Sequence, residues 1–148
     1  MNISEFLTLT DVSAEAAASD KHQLLQELAH KAGAKLDVQP ERILSELLKR
    51  EELGSTGMGG GVAIPHARFH QVEKPFGMLV RLKRPIDFDA VDGGQVDIVF
   101  LLLVPEAPGG GPLGALACIA RKLRDPGVAA ALRTARGAGE MYRLLTAQ

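Results

Sequence analysis

The chain has 148 residues, a natural length for one domain (1–148) that hides about two-thirds of its unfolded surface around one core. With 46% hydrophobic and 24% charged residues, it has the composition of a globular protein and not of a disordered or membrane-inserted one. A net charge of -1, a pI near 6.4, five Phe, one Tyr and no Trp supply neither the basic field nor the stacking platforms of a nucleic-acid binder.

The N-terminus, MNISEFLTLTDVSAEAA, has no basic start and no unbroken apolar segment, so we expect a cytoplasmic protein. A short strand is predicted around Ile3 to Leu9. Ser19 or Asp20 then caps a helix whose Leu24, Leu25, Leu28, Ala29 and Ala32 repeat with helical spacing, and Gly33 marks its stop. His22 and His30 fall on this helix and read as solvated or capping residues. A second helix opens with Pro40 in its first turn, carries Ile43, Leu44, Leu47 and Leu48 on one face, and ends near Arg50 to Leu53.

Val62-Ala63-Ile64 and Phe76 to Leu82 are apolar runs that read as strands, the second closed by Pro85. Asp87, Asp89, Asp92 and Asp97 lie in turn-rich sequence, where capping and turn formation are the expected work. Val96 to Val104 contains the unbroken run Ile98 to Val104, the pattern of a central strand covered on both faces. Pro105 ends it. Gly109-Gly110-Gly111 leads to Pro112, a first-turn residue for a helix with Leu113, Leu116, Ala117, Ala120 and Leu123 on one side. The single cysteine, Cys118, reads as filler in that helix and cannot form an internal disulfide. Pro126 starts another helical segment, and Glu140 to Leu145 supplies the last. Helices before, between and after apolar strands predict an α/β domain with helices on both faces of a sheet.

The chemistry concentrates in GSTGMGGGVAIPH, Gly54 to His66. This segment lacks the lysine of a phosphate-binding P-loop and is not followed by the helix of a dinucleotide fingerprint. Its glycines read either as a flexible turn or as a cradle in which successive backbone N–H groups converge on a phosphoryl group. Gly54, Ser55, Thr56, Gly59, Gly60 and Gly61 are the candidate cradle residues. Pro65 stiffens the approach to His66, which stands where a strand ends, at the rim where ligands gather in open α/β sheets. A packed structural histidine is the alternative. Arg50, just ahead of the loop, reads as an anion partner at the same rim or as a cation answering the dipole of its helix. His66 and His70 have a spacing that suits a metal on a helical face, but Pro65 interrupts such a helix and no metal is called for.

The ordered set Arg50-Glu51, Gly54 to Gly57, Gly61 to His66, Pro85-Ile86-Asp87-Phe88-Asp89-Ala90-Val91-Asp92 and Val96-Asp97 resembles one family. It is similar to the enzyme IIA domains of the fructose/mannitol type in the bacterial phosphoenolpyruvate-dependent phosphotransferase system, and most closely to their stand-alone nitrogen-regulatory branch. The resemblance runs from the first helix to the C-terminus. It implies a central mixed sheet flanked by helices and a phosphotransferase component that needs no cofactor. His66 would take a phosphoryl group from a small histidine phosphocarrier protein, with Arg50 assisting. Regulatory targets such as sensor kinases or potassium transporters are implied by the resemblance alone. Members usually carry a second histidine at the start of the helix after the central strand; here Gly111-Pro112-Leu113 places Pro112 there. Two expectations follow: a working phosphocarrier with a reduced site, or a regulatory binding protein whose phosphorylation is slow or lost.

Overall fold

The apolar run ending at Val104 organises the molecule. It forms β6 (Gln95–Val104), and its side chains alternate between two cores: Val99, Leu101 and Leu103 enter one, Ile98, Phe100, Leu102 and Val104 the other. The computed structural model describes residues 1–106 and 111–147, with the side chains of 111–113 outside that description. Around β6 lie β1 (Val12–Ala16), β2 (Gly57–Gly59), β3 (Val62–Ala63), β4 (His66–Arg68) and β5 (Phe76–Asp87). They make one mixed sheet in the order β1-β5-β6-β3-β2, with β4 also paired to β6. β5 runs antiparallel to β6, whereas β3 and β4 lie parallel to it one after the other, at Val62 opposite Ile98 and His66 opposite Leu102.

One face is covered by α1 (Lys21–Leu36) and α2 (Pro40–Glu52), and the other by α3 (Gly111–Arg124), α4 (Pro126–Thr134) and α5 (Ala138–Thr146). The α/β expectation of a mixed sheet with helices on both faces therefore holds. Asp20 is the cap of α1, its carboxylate accepting from the Gln23 N–H at 2.8 Å, and Pro40 opens α2. Pro126 opens α4 behind an Asp125 cap.

Four local expectations need correction. Ile3 to Leu9 is not a strand: 3₁₀ turns span Ile3–Glu5 and Leu9–Asp11, and the first strand is β1. Buried Ile3, Phe6 and Leu7 are spaced three and four apart, which suits a helical turn, and the Glu5 carboxylate accepts the Asn2 N–H at 2.7 Å. Gly33 does not stop α1 but lies inside it. A methyl group there would stand 2.6 Å from the Val38 carbonyl, so glycine is needed for the close turn into α2, while Asp37 in the left-handed region ends the helix. β5 passes through Pro85, which sits where the β5–β6 register lapses between Arg81 and Ile86 and no ladder N–H is required. Asp97 is not in a turn; it lies in β6 and pairs with Arg133 at 3.0 Å. Gly109 and Gly110 of the predicted loop lie outside the described residues.

Candidate functional site

His66 opens β4 on the outer side of β6, and among the described residues no strand pairs beyond it. Pro65 turns its carbonyl to the Leu102 N–H at 3.0 Å and keeps this segment in register without offering a donor of its own. The ring of His66 is partly buried. It lines a cavity of about 380 Å³ together with Lys49, Arg50 and Leu53 from the end of α2, Arg68 from β4, and Leu102 and Leu116 from the face opposite α2.

The ring is oriented by its own chain. His66 Nδ1 lies 2.7 Å from the Ile64 carbonyl, which only accepts, so Nδ1 carries the hydrogen and Nε2 keeps the in-plane lone pair. Burial pushes the imidazole below its ordinary value of 6.5; the Ile64 carbonyl works against that shift, the Arg50 cation adds to it, and Glu51 opposes it. A neutral ring with one fixed, unprotonated nitrogen at a cavity wall is a nucleophile.

Arg50 reaches the same place. Its Nη1 donates to the Gly54 carbonyl at 2.8 Å, which folds the guanidinium over the loop that leaves α2 and keeps it beside His66. The predicted cradle, by contrast, is divided. Gly54, Ser55 and Thr56 remain on the His66 side, because the Thr56 carbonyl accepts the Ile64 N–H at 3.1 Å. Their polar groups are turned inward: the Ser55 hydroxyl donates to the Phe88 carbonyl at 2.7 Å, and buried Thr56 gives both its N–H and its hydroxyl to the Glu51 carboxylate.

Gly59, Gly60 and Gly61 are elsewhere. They turn the chain from β2 to β3 with φ of 96°, 67° and 81°, a region that glycine alone enters freely. Between Val62 and His66 the chain advances four residues along β6, from Ile98 to Leu102, or about 13 Å. The turn lies beyond Val62, and its groups are engaged by other partners: the Gly60 N–H by Asp92 at 3.1 Å and the Gly60 carbonyl by Arg133 at 2.6 Å. These three glycines make a hairpin and do not reach the His66 cavity. The expectation that they cradle a phosphoryl group there is corrected on that ground.

The His66–His70 metal geometry is also absent, since His66 is in a strand and His70 follows its end. Among the described residues no group of three His, Cys, Asp or Glu is arranged to hold a metal. His22 and His30 are exposed on α1. The expected place of a second histidine falls at the start of α3, where the Pro112 side chain is outside the described residues.

Sequence reasoning missed Arg68 and Leu53 as site residues, and it gave Glu51 no role beyond its place in the Arg50-Glu51 motif. Arg68 was accessible: once residues 66 to 68 are a strand, the period of two puts it on the same face as His66. Leu53 is an apolar side chain 85% exposed at the cavity edge. Glu51 is buried through Lys21 of α1, thirty residues earlier, and nothing local announces that contact.

A mixed-sheet α/β protein with a neutral histidine and an arginine at an open sheet edge is thus the class defined by fold and site. Residues 5–148 match the family model "Phosphoenolpyruvate-dependent sugar phosphotransferase system, EIIA 2". A nitrogen regulatory protein of Bradyrhizobium diazoefficiens is 50% identical over 146 residues, 94% of this chain and 95% of that protein. The crystal structure of the nitrogen regulatory protein IIA-Ntr from Neisseria meningitidis superimposes with a TM-score of 0.92 at 35% identity, covering 97% of this chain and 99% of that one. An Escherichia coli mannitol enzyme IIA, solved in complex with phosphorylated enzyme IIB, shares the fold at a TM-score of 0.80 and 17% identity, with 96% and 98% covered. The chain belongs to the EIIA type 2 family of the phosphoenolpyruvate-dependent sugar phosphotransferase system. No helix among the described residues is long and apolar enough to cross a membrane.

Proposed function

We propose that the chain is a regulatory phosphocarrier that accepts a phosphoryl group on Nε2 of His66 from a histidine phosphocarrier protein. The observation that carries this is the Nδ1–H to Ile64 carbonyl contact, which fixes the tautomer and leaves Nε2 unprotonated on a ring that lines the cavity. The Nε2 lone pair forms a bond to phosphorus as the bond between phosphorus and the donor's histidine nitrogen breaks, and the donor ring keeps that electron pair. Arg50 and Arg68 supply positive charge for the phosphoryl oxygens, and placement plus charge is most of what such a transfer needs. Exposed Leu53 beside them offers an apolar contact to the docking donor.

The regulatory part of the reading follows the nitrogen regulatory relatives. A phosphoryl group adds about two negative charges to the sheet edge, enough to switch a protein contact. A protein partner is in keeping with the mannitol enzyme IIA neighbour, whose structure includes phosphorylated enzyme IIB.

Incubation with the phosphoenolpyruvate-driven carrier cascade tests the proposal. We expect an acid-labile mass gain of one phosphoryl group that His66→Ala abolishes. Wild type that stays unlabelled, while the cascade labels another enzyme IIA, would overturn it. That result would favour the second reading, a regulatory binding protein without phosphotransfer, which the proline at 112 supports. Pro112→His distinguishes the two further, since faster labelling means the missing imidazole limits the rate.

A further inference from the structure

Behind the histidine lies a carboxylate that the reaction as described does not use. Glu51 has a side chain only 6% exposed, one residue from Arg50 at the end of α2. Burying a charge is costly unless it is fully partnered, and an apolar residue would fill the same space at less expense. Glu51 is fully partnered: Oε1 takes the Lys21 ammonium at 2.9 Å and the Thr56 N–H at 3.1 Å, while Oε2 accepts the Thr56 hydroxyl.

Those bonds continue towards the site. The Thr56 carbonyl accepts the Ile64 N–H, and the Ile64 carbonyl accepts Nδ1–H of His66. The other side of the loop is pinned as well, by the Ser55 hydroxyl on the Phe88 carbonyl. Lys21 in turn is held over the Phe88 ring, 4.7 Å from its centre, and 3.7 Å from Asp89. We propose that Glu51 is a positioning residue for His66: by clamping Thr56 it fixes the Ile64 carbonyl that selects the Nδ1–H tautomer and presents Nε2.

Pairing with Lys21 suits this role. A bare carboxylate near the ring would favour imidazolium, which cannot accept a phosphoryl group, whereas a carboxylate already paired with an ammonium pulls less on that proton. The arrangement orders the loop while leaving the ring neutral. The relay rests on the acceptor reading for its purpose, but it can be tested without any donor.

The experiment reads the ¹⁵N shifts of the His66 imidazole in the full-length chain above neutral pH, where the two neutral tautomers are resolved. Wild type should be mostly Nδ1–H. In Glu51→Ala the ratio of Nδ1–H to Nε2–H should fall by roughly threefold to tenfold, the weight of one hydrogen bond. Glu51→Gln keeps an acceptor oxygen and should restore much of the ratio. Thr56→Val, which loses only the hydroxyl, covers the case in which Glu51→Ala does not fold and should shift the ratio in the same direction. A folded Glu51→Ala or, failing that, a folded Thr56→Val with the wild-type ratio would overturn the proposal, because the sheet alone would then be holding Ile64. With the donor cascade added, Glu51→Ala should lose about tenfold to a hundredfold in kcat at unchanged KM. If wild type accepts no phosphoryl group yet the tautomer shift appears, the acceptor reading fails and the positioning role stands.

Discussion

Gly61→Ala separates the two halves of the glycine-rich segment. Gly61 has φ of 81°, and an added methyl group would overlap the Arg133 guanidinium and stand 3.1 Å from Asp97 Oδ1. The left-handed conformation costs alanine about 1–2 kcal/mol. Moving Arg133 also weakens its bonds to the Gly60 carbonyl at 2.6 Å and to Asp97 at 3.0 Å. The Arg133 and Asp97 side chains are about one-third and one-quarter exposed, at 34% and 26%, so solvent recovers part of the loss and it amounts to about 1–2 kcal/mol. The sum is a destabilisation of about 2–4 kcal/mol, or roughly 5–15 °C in Tm for a chain of this size. Urea unfolding measures the first quantity, and labelling by the donor cascade, run well below the lowered Tm, measures the second. Because the turn lies beyond Val62, four β6 residues from the rung of His66, the labelling rate should stay within about twofold of wild type. A variant of native stability that no longer takes the label would refute this reasoning and return the Gly59–Gly61 turn to the phosphoryl site.

Two further outcomes test other parts of the structure. His66 should titrate below 6.5 in a pH series of ring-proton shifts. Its unfolded counterpart then binds more protons in the window just under 6.5, so the histidine's contribution makes stability fall on acidification through that window and level off above it. Urea midpoints at about pH 7.5 and about pH 5.5 should therefore differ less in His66→Gln than in wild type, and a His66 that titrates at or above 6.5 would contradict the burial argument. Arg81 donates to the Ala14 carbonyl at 3.0 Å and, at the end of α4, to the Leu132 and Ala135 carbonyls at 2.7 and 2.8 Å. Arg81→Met keeps the stem but strands these acceptors and should cost about 2–4 kcal/mol in urea unfolding, with labelling of His66 unchanged; a loss under about 0.5 kcal/mol would mean that water replaces the guanidinium.

Local signals carried much of the fold because their causes are local. Asp20, Pro40 and Pro126 act on backbone groups within one turn, so caps and first-turn prolines could be read without knowing what packs against them. The run Ile98 to Val104 has no polar side and therefore required cover on both faces. Gly33 misled because the sequence does not show whether a glycine answers to a left-handed turn or to a neighbour pressed against its Cα. Ile3 to Leu9 misled because its buried Ile3, Phe6 and Leu7 recur three and four residues apart, which suits a turn of helix and not the period of two of a strand.

Residue order alone singled out the groups on which the proposed transfer rests: a histidine behind a proline at a strand end, and an arginine closing the preceding helix. Tertiary structure decided how they are used. Backbone amides in a glycine-rich stretch serve whichever acceptor the fold brings to them, and Asp92 and Arg133, both distant in sequence, claimed Gly60 for a hairpin. Lys21 made a buried Glu51 tolerable, and Glu51 in turn gathered the loop next to His66. Hydrogen bonds between distant segments depend on which backbone groups are left unpaired once the sheet has formed, and that count exists only in the folded molecule.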